Sequence, residues 1–171
     1  DADEGPLRLR AAKIRQAAER CAKIVQTFMA MARRKPLERR RMALADVALA
    51  ALEIASYTLR TSDIDVVLEV EPGLPPLVGD PDQLHQVVLN LLVNAQQALA
   101  SCPPPRRVVV RVRCLNAHVL ALEVADNGPG VPPEDRERIF EEFFTTKLQA
   151  TGMGFGLTFS RSVAEAHRGC L

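Results

Sequence analysis

The chain has 171 residues, a formal net charge of +1 and 47% hydrophobic residues. This length predicts one domain with an appendage, and the apolar content is enough for a hydrophobic core. No apolar run reaches membrane-spanning length, no signal peptide is visible, and the near-neutral charge argues against a nucleic-acid partner, so we expect a cytoplasmic protein whose parent could still be membrane-anchored.

Residues 7–34 are predicted to form one long helix. Ile14, Cys21 and Phe28 are seven residues apart, with charged residues between them, which is the heptad spacing of a helix that packs against another helix. A single amphipathic helix lying on its own domain is the alternative. Pro36 should end the helix, and the arginines and lysine around it favour a solvated linker over a nucleic-acid site.

The rest of the chain has the spacing of alternating helices and strands. Pattern and turn residues predict an edge strand at Met42–Leu44, a helix from Asp46 to Arg60, a strand at Ile64–Val70 and a loop from Pro72 to Gly79. Asp80 and Pro81 should start a helix, as N-cap and first helical residue, that runs to about Leu99.

The C-terminal third has the pattern of a hairpin followed by short helices. We predict strands at Arg107–Cys114 and His118–Ala125, a short helix at Pro133–Ile139 and a final helix at Leu157–His167. Together these elements predict an α+β fold, with helices covering a largely antiparallel sheet. The cysteines have no CxxC spacing, which predicts reduced, mostly buried thiols: Cys21, Cys102, Cys114 and Cys170.

Asn90 and Asn94 lie four residues apart, on one face of the predicted helix, among apolar residues such as Val87 and Leu91. Packing alone does not explain two carboxamides in one stripe. Their oxygens could hold a hard cation, and such a cation implies phosphate. The alternative is a buried pair of asparagines that hydrogen-bond each other.

Asp126 ends a predicted strand and is followed by Gly128 and Gly130. A carboxylate there can accept a hydrogen bond from the exocyclic amine of adenine, and the glycines let a flat ring approach the backbone. An ordinary Asp-Asn-Gly turn is the alternative.

Gly152, Gly154 and Gly156 precede the last predicted helix. Glycines there let the backbone approach an anion, and the start of the helix presents free amide groups to it. The spacing is neither a dinucleotide fingerprint nor a Walker loop. A flexible hinge is the alternative.

An aromatic and threonine-rich segment lies between these two glycine motifs. It contains Phe140, Phe143 and Phe144, and ends at Lys147. The aromatic residues could anchor a mobile lid, and the lysine could reach a terminal phosphate. Core packing with a solvated lysine is the alternative.

In their order and spacing, these four motifs resemble the N, G1, F and G2 boxes of the ATP-binding domain of sensor histidine kinases. The likeness covers about residues 41–168, and the compact Phe-Phe-Thr-Thr-Lys box is similar to kinases of the nitrogen-regulation type. It implies the Bergerat (GHKL) fold, a two-layer α/β sandwich, here with a long N-terminal helix, and it implies ATP and Mg²⁺ as ligands.

The resemblance also implies a role for each matching residue. Asn94 would ligate Mg²⁺ and Asn90 would support the phosphates or the metal. Asp126 would bind the adenine amine, in a base pocket shaped by Gly128 and Gly130. The remaining motif residues would contact the triphosphate, with the glycines closing the lid and the lysine as a secondary contact: Lys147, Gly152, Gly154 and Gly156.

The implied reaction is transfer of the γ-phosphoryl group of ATP to a histidine, and from there to an aspartate of a response regulator. Residues 1–36 would be the second helix of a dimerisation domain, making a homodimer, and residues 37–171 the catalytic domain. No histidine occurs in residues 1–84, so the acceptor histidine would lie outside this chain, which we expect to be a fragment lacking the last strands of the sheet. Gln97 and Ala98 stand where relatives often have a basic residue.

Two other functions remain open on sequence. A hydrolytic ATPase of the gyrase or Hsp90 type would carry a glutamate where Asn90 stands, because that side chain must take a proton from water. A non-enzymatic module would use only the N-terminal helix to bind a partner.

Overall fold

A computed structural model describes Arg15 and residues 38–141, 144–145 and 154–171. Arg15 is helical and exposed. The remainder of the predicted N-terminal helix lies outside the described residues, as do Phe143, Lys147 and Gly152.

The described part contains three helices and five strands. In chain order they are β1 (Arg40–Met42), α1 (Leu44–Thr61), β2 (Ile64–Val70), β3 (Leu77–Gly79), α2 (Pro81–Leu99), β4 (Arg106–Asn116), β5 (Val119–Asp126) and α3 (Gly156–Ala166). The bounds predicted for β2 and α2 are confirmed, and those of the hairpin and of α3 are off by one or two residues.

The main sheet has the strand order β2-β4-β5 and is mixed. Strands β4 and β5 are antiparallel, as predicted, but β2 and β4 are parallel. The predicted largely antiparallel sheet is therefore corrected. A parallel pair needs a long crossover connection, and the segment that contains α2 supplies it.

A second, two-stranded sheet joins the chain ahead of α1 to the chain ahead of α2. It pairs β1 with β3, so that Arg40 faces Gly79 and Met42 faces Leu77. Two predictions are wrong here. The edge strand lies at Arg40–Met42 instead of Met42–Leu44, and the predicted loop up to Gly79 contains a strand.

The core lies between the main sheet and helices α1 and α2. Val108, Val110 and Val112 of β4 are at most 1% exposed and pack with Leu92 and Leu99 of α2. The opposite face of the sheet carries the ion pairs Arg111–Glu69 and Arg113–Glu123. One apolar and one charged sheet face make a two-layer α+β sandwich, which confirms the predicted fold class.

Helix α2 begins as its sequence predicts. The side chain of Asp80 accepts hydrogen bonds from the backbone N–H groups of Asp82 (3.1 Å) and Gln83 (3.2 Å), with Pro81 in the first turn. These bonds satisfy donors that a helix start leaves free.

Two predicted helices differ in the structure. Helix α1 starts at Leu44 and not at Asp46. The start was mispredicted because the N-cap residue, Ala43, has no capping side chain that would mark the position in the sequence. The helix predicted at Pro133–Ile139 is instead two single 3₁₀ turns, Pro133–Asp135 and Arg138–Phe140, the form that short runs usually take.

Cys102, Cys114 and Cys170 carry free thiols, as predicted, but none of the three is fully buried. Among the described helices, none combines the length and the apolar character needed to cross a membrane.

Candidate functional site

Asn90 joins α2 to the start of α3. Its side-chain oxygen accepts a hydrogen bond from Nε2 of Gln86 (3.2 Å), and its side-chain nitrogen donates to the backbone oxygen of Gly156 (3.4 Å). The N-box and G2 motifs, 66 residues apart in the chain, are therefore in contact. Asn90 makes no hydrogen bond with Asn94 within the described residues, which argues against the alternative that the two asparagines bond each other.

Asn94 lies one helical turn further along α2 and is half-buried. Its carboxamide makes no hydrogen bond within the described part of the chain, so it remains available to a ligand. No three His, Cys, Asp or Glu side chains of the described residues form a metal site. A divalent cation at Asn94 would therefore need further oxygen ligands from outside such a cluster.

Asp126 is the last residue of β5, and its side chain points back toward the loop that follows it. Its Oδ1 accepts a hydrogen bond from the backbone N–H of Gly128 (2.9 Å). A Cβ on Gly128 would lie 2.7 Å from that oxygen and 3.5 Å from Cβ of Ala98, so a side chain at this position would displace the carboxylate from its turn. Ala98 follows Asn94 by one turn, which brings the carboxylate and the carboxamide to the same stretch of α2.

Asn127 holds the base of this turn, a role that was not predicted from the sequence. Its side chain accepts from the backbone N–H of Arg107 (2.7 Å) and donates to the backbone oxygen of Pro105 (2.8 Å). These two bonds fasten the end of β5 to the start of β4. The Asp-Asn-Gly pattern was the signal for a turn, but it does not reveal partners some twenty residues earlier.

Two of the predicted loop glycines have backbone torsions that favour glycine. Gly130 has a φ of +73° and Gly154 a φ of +68°, the left-handed region that side chains disfavour. Gly156 is the first residue of α3 and packs against Asn90, since an added Cβ would lie 3.9 Å from Cγ of Asn90. Lys147 and Gly152, predicted to contact the triphosphate, lie outside the described residues.

Phe140 of the F motif contacts α3. The hydroxyl of Thr158 lies 3.1 Å from the backbone oxygen of Phe140 and 3.4 Å from that of Gly154. The guanidinium of Arg161 lies 5.2 Å from the centre of the Phe140 ring. The chain on both sides of the predicted lid is therefore attached to the first turns of α3.

The start of α3 has backbone N–H groups that the helix itself does not satisfy. Its N-cap residue, Phe155, makes no capping bond with its side chain, and no acidic residue lies in the first turn. N–H groups at such a helix start, together with the helix dipole, attract negative charge. A carboxylate, a carboxamide without a hydrogen bond in the described part of the chain, and a helix start without a side-chain cap thus lie along one side of α2.

Comparisons with known proteins identify the family of this chain. A family model described as "Histidine kinase-, DNA gyrase B-, and HSP90-like ATPase" matches residues 79–171. The sensor kinase CckA of Brucella abortus (strain 2308) is 34% identical over 159 residues, covering 85% of this chain and 16% of CckA. The sensory histidine kinase/phosphatase NtrB of Escherichia coli O157:H7 is 33% identical over 116 residues, covering 63% of this chain and 32% of NtrB.

A solved structure shares the fold. The mycobacterial sensor histidine kinase MprB superposes with a TM-score of 0.64 at 32% identity, covering 76% of this chain and 80% of that one. The chain spans a third or less of the two curated relatives. It belongs to the histidine kinase-, DNA gyrase B- and HSP90-like ATPase family, as an ATP-binding catalytic domain of the sensor histidine kinase kind.

Proposed function

We propose that this chain binds MgATP and presents its γ-phosphoryl group to a histidine on a separate phosphoacceptor segment. The whole protein then passes the group to an aspartate of a response regulator. The observation that carries the proposal is the placement of two groups along one face of α2. Asn90 bonds the start of α3, and the Asp126–Gly128 turn lies beside Ala98, with Asn94 between them in the helix.

Asp126 is proposed to read the base. Its Oδ1 is occupied by Gly128, and its Oδ2 makes no hydrogen bond within the described residues. That second oxygen accepts the exocyclic amine of adenine, whereas a guanine carbonyl at the equivalent position would repel it. Gly130 leaves room for the ring, since nothing lies within 4 Å of the place that a Cβ would occupy.

Asn94 is proposed to hold Mg²⁺ through its side-chain oxygen, with Asn90 supporting the phosphates or the metal. Both are half-buried on one face of α2, and oxygen ligands suit this cation. Bound Mg²⁺ would offset the negative charge of the phosphates. Gly154 and Gly156 would give the triphosphate access to backbone donors, and from the sequence motif we add Gly152 and Lys147.

The domain's contribution is positioning and charge neutralisation, with little covalent chemistry of its own. Asn90 is the reason to expect transfer over hydrolysis. An amide does not take up the proton of an attacking water, and this amide already bonds Gln86 and Gly156. A hydrolytic ATPase would need a base that this position does not supply.

Residues 37–171 are proposed as the catalytic domain and residues 1–36 as part of a homodimeric helical domain, in the cytoplasm. Two contacts support this boundary. The backbone N–H of Glu38 donates to Oδ2 of Asp80 (3.3 Å), and the guanidinium of Arg39 donates to the backbone oxygen of Ala166 (2.6 Å). The chain is therefore attached to the domain from Glu38 onward.

The test uses γ-labelled ATP and a separately supplied phosphoacceptor domain of a related kinase. We expect label on the histidine of that domain, onward transfer to a response regulator, and only slow release of inorganic phosphate. No label should appear on this chain incubated alone. Rapid phosphate release without transfer would favour the hydrolytic ATPase, and loss of nucleotide binding with dimerisation intact would favour the non-enzymatic module.

A further inference from the structure

His167, just beyond α3, joins this helix to the capped start of α2. Its Nε2 lies 2.9 Å from the backbone nitrogen of Asp80, and its Nδ1 lies 2.8 Å from the backbone oxygen of Val163. Since the backbone N–H of Asp80 donates, Nε2 must be the acceptor, and Nδ1 carries the proton that is donated to Val163. The contact therefore requires a neutral imidazole in the Nδ1–H form.

The surroundings of the ring are built around this contact. A Cβ on Gly79 would lie 2.7 Å from Cδ2 of His167, so glycine at this position makes space for the imidazole. Asp80 is only 8% exposed, and its carboxylate caps α2 while its backbone N–H serves His167. The histidine thus binds the residue that determines where α2 begins.

Helices α2 and α3 run antiparallel, and a hydrogen bond joins them at each end of α3. One bond joins Asn90 to Gly156 and the other joins Asp80 to His167. At a rise of about 1.5 Å per residue, Asp80 and Asn90 are about 15 Å apart along α2, and Gly156 and His167 are about 16 Å apart along α3. The matching lengths mean that the two bonds together oppose sliding of one helix along the other.

The bond at the His167 end is the stronger of the two. The Asn90–Gly156 bond is 3.4 Å long, beyond the usual range for N–H···O. Between the ends, Nε2 of His85 and Oγ of Ser160 are buried without a hydrogen-bond partner in the described part of the chain. Of the two bonds that hold α3 along α2, the one at His167 is therefore the one with ordinary hydrogen-bond length.

We propose that His167 is a positioning residue for the nucleotide site, acting through the position of α3. It keeps Gly156 and the first turn of α3 beside Asn90, so that binding of the triphosphate needs little further ordering. Asp126 is held separately, by Gly128 and by the β5–β4 contact of Asn127, so adenine binding does not depend on His167. This inference rests on the proposed function.

The test compares His167→Asn with His167→Gln. The glutamine oxygen can take the place of Nε2 and accept from Asp80, whereas the asparagine amide can replace only the Nδ1–H donor. His118→Asn is the matched control, because His118 is exposed at the β4–β5 turn. Affinities for adenosine and for a non-hydrolysable ATP analogue with Mg²⁺ are measured for all four proteins, together with the melting temperature.

We expect His167→Asn to weaken binding of the ATP analogue about tenfold, the order of one lost buried hydrogen bond, while adenosine affinity stays within about twofold. His167→Gln should restore most of the loss, and His118→Asn should bind like the parent chain. An equal loss for adenosine and the ATP analogue, or failure of the glutamine to restore binding, would overturn the positioning role.

A second readout needs no nucleotide. Long-range ¹H–¹⁵N spectra should report His167 in the Nδ1–H form, and hydrogen exchange at the Asp80 amide should be slow in the parent chain and faster in His167→Asn. An Nε2–H form would overturn the contact itself. If the parent chain binds no adenine nucleotide, the proposed function fails and the positioning role fails with it. If it binds but the losses are equal, only the positioning role fails.

Discussion

Asp126 is a single side chain whose two oxygens have separate tasks. Its Oδ1 accepts from Gly128 and stabilises the turn, and Oδ2 is proposed to accept from adenine. Asp126→Asn retains an oxygen for the turn but can offer the base an NH₂ group instead of an acceptor. We expect it to weaken ADP binding by about 1 to 3 kcal/mol, the cost of an unpaired polar group in a closed site.

The selectivity of this variant is a sharper check than its affinity. Hypoxanthine nucleotides carry a carbonyl where adenine carries its amine, so Asp126→Asn should bind them as well as or better than the parent chain. Calorimetric titration with ADP and inosine diphosphate gives the ratio. Asp65→Asn, at an exposed position of β2, is the control. An unchanged preference for adenine would remove Asp126 from the base pocket.

Gly128 is predicted to matter through the space it leaves, not through its torsion angles. A Cβ there would stand 2.7 Å from Oδ1 of Asp126, so Gly128→Ala forces the carboxylate to move. We expect ADP affinity to fall severalfold, by about 1 kcal/mol or more. Gly73→Ala is the control: its φ is +76° and nothing lies within 4 Å. That variant should lose stability while binding ADP normally.

Whether a residue of the site could be predicted depends on how far apart in the chain it and its contact partners lie. The motif residues Asp126 and Asn94 were recognisable because neighbouring letters carry the pattern. The contacts that orient them were not. Asn127 bonds Pro105 and Arg107, and His167 bonds a residue 87 positions earlier, and nothing in a local pattern identifies such partners.

At the scale of whole elements, the same distinction explains which bounds were right. Helix α2 carries its own start and stop signals, Asp80-Pro81 and the prolines after Leu99, and its prediction held. Strand β3 was missed because three residues beside prolines form a strand only when they pair with β1, which lies about 37 residues earlier. The parallel pairing of β2 with β4 was missed for a related reason, since hydrophobic alternation does not encode strand direction.

The start of α2 supports a prediction about stability. Asp80→Ala removes the acceptor for two helix N–H groups and for the backbone N–H of Glu38. We expect a loss of about 1 to 2 kcal/mol in the free energy of unfolding, measured by urea denaturation. Asp80→Asn keeps one acceptor oxygen and should lose less. Equal losses in the two variants would mean that side-chain capping is not what Asp80 contributes.

At the scale of the whole molecule, α3 is the described helix that contributes least to the main core. The main cluster consists of residues from α1, α2, β2 and β4, whereas α3 buries only Ser160 and Val163. A nucleotide that contacts Asp126 on one side and the start of α3 on the other would link the sheet, α2 and α3. Binding should therefore raise the stability of the domain as a unit, because a ligand that binds only the folded state shifts the unfolding equilibrium.

This linkage predicts how Mg²⁺ and Asn94 act together. At a ligand concentration of 100 times Kd, the folded state gains about 2.7 kcal/mol, so ADP should raise the melting temperature, and Mg²⁺ should raise it further by tightening binding. In Asn94→Ala, the ADP shift should persist and the additional Mg²⁺ shift should vanish, because the variant retains Asp126 but lacks the oxygen for the cation. Adenosine, which has no phosphates, is the internal control and should give the same shift with and without Mg²⁺. A full Mg²⁺ response in Asn94→Ala would assign the cation to other residues.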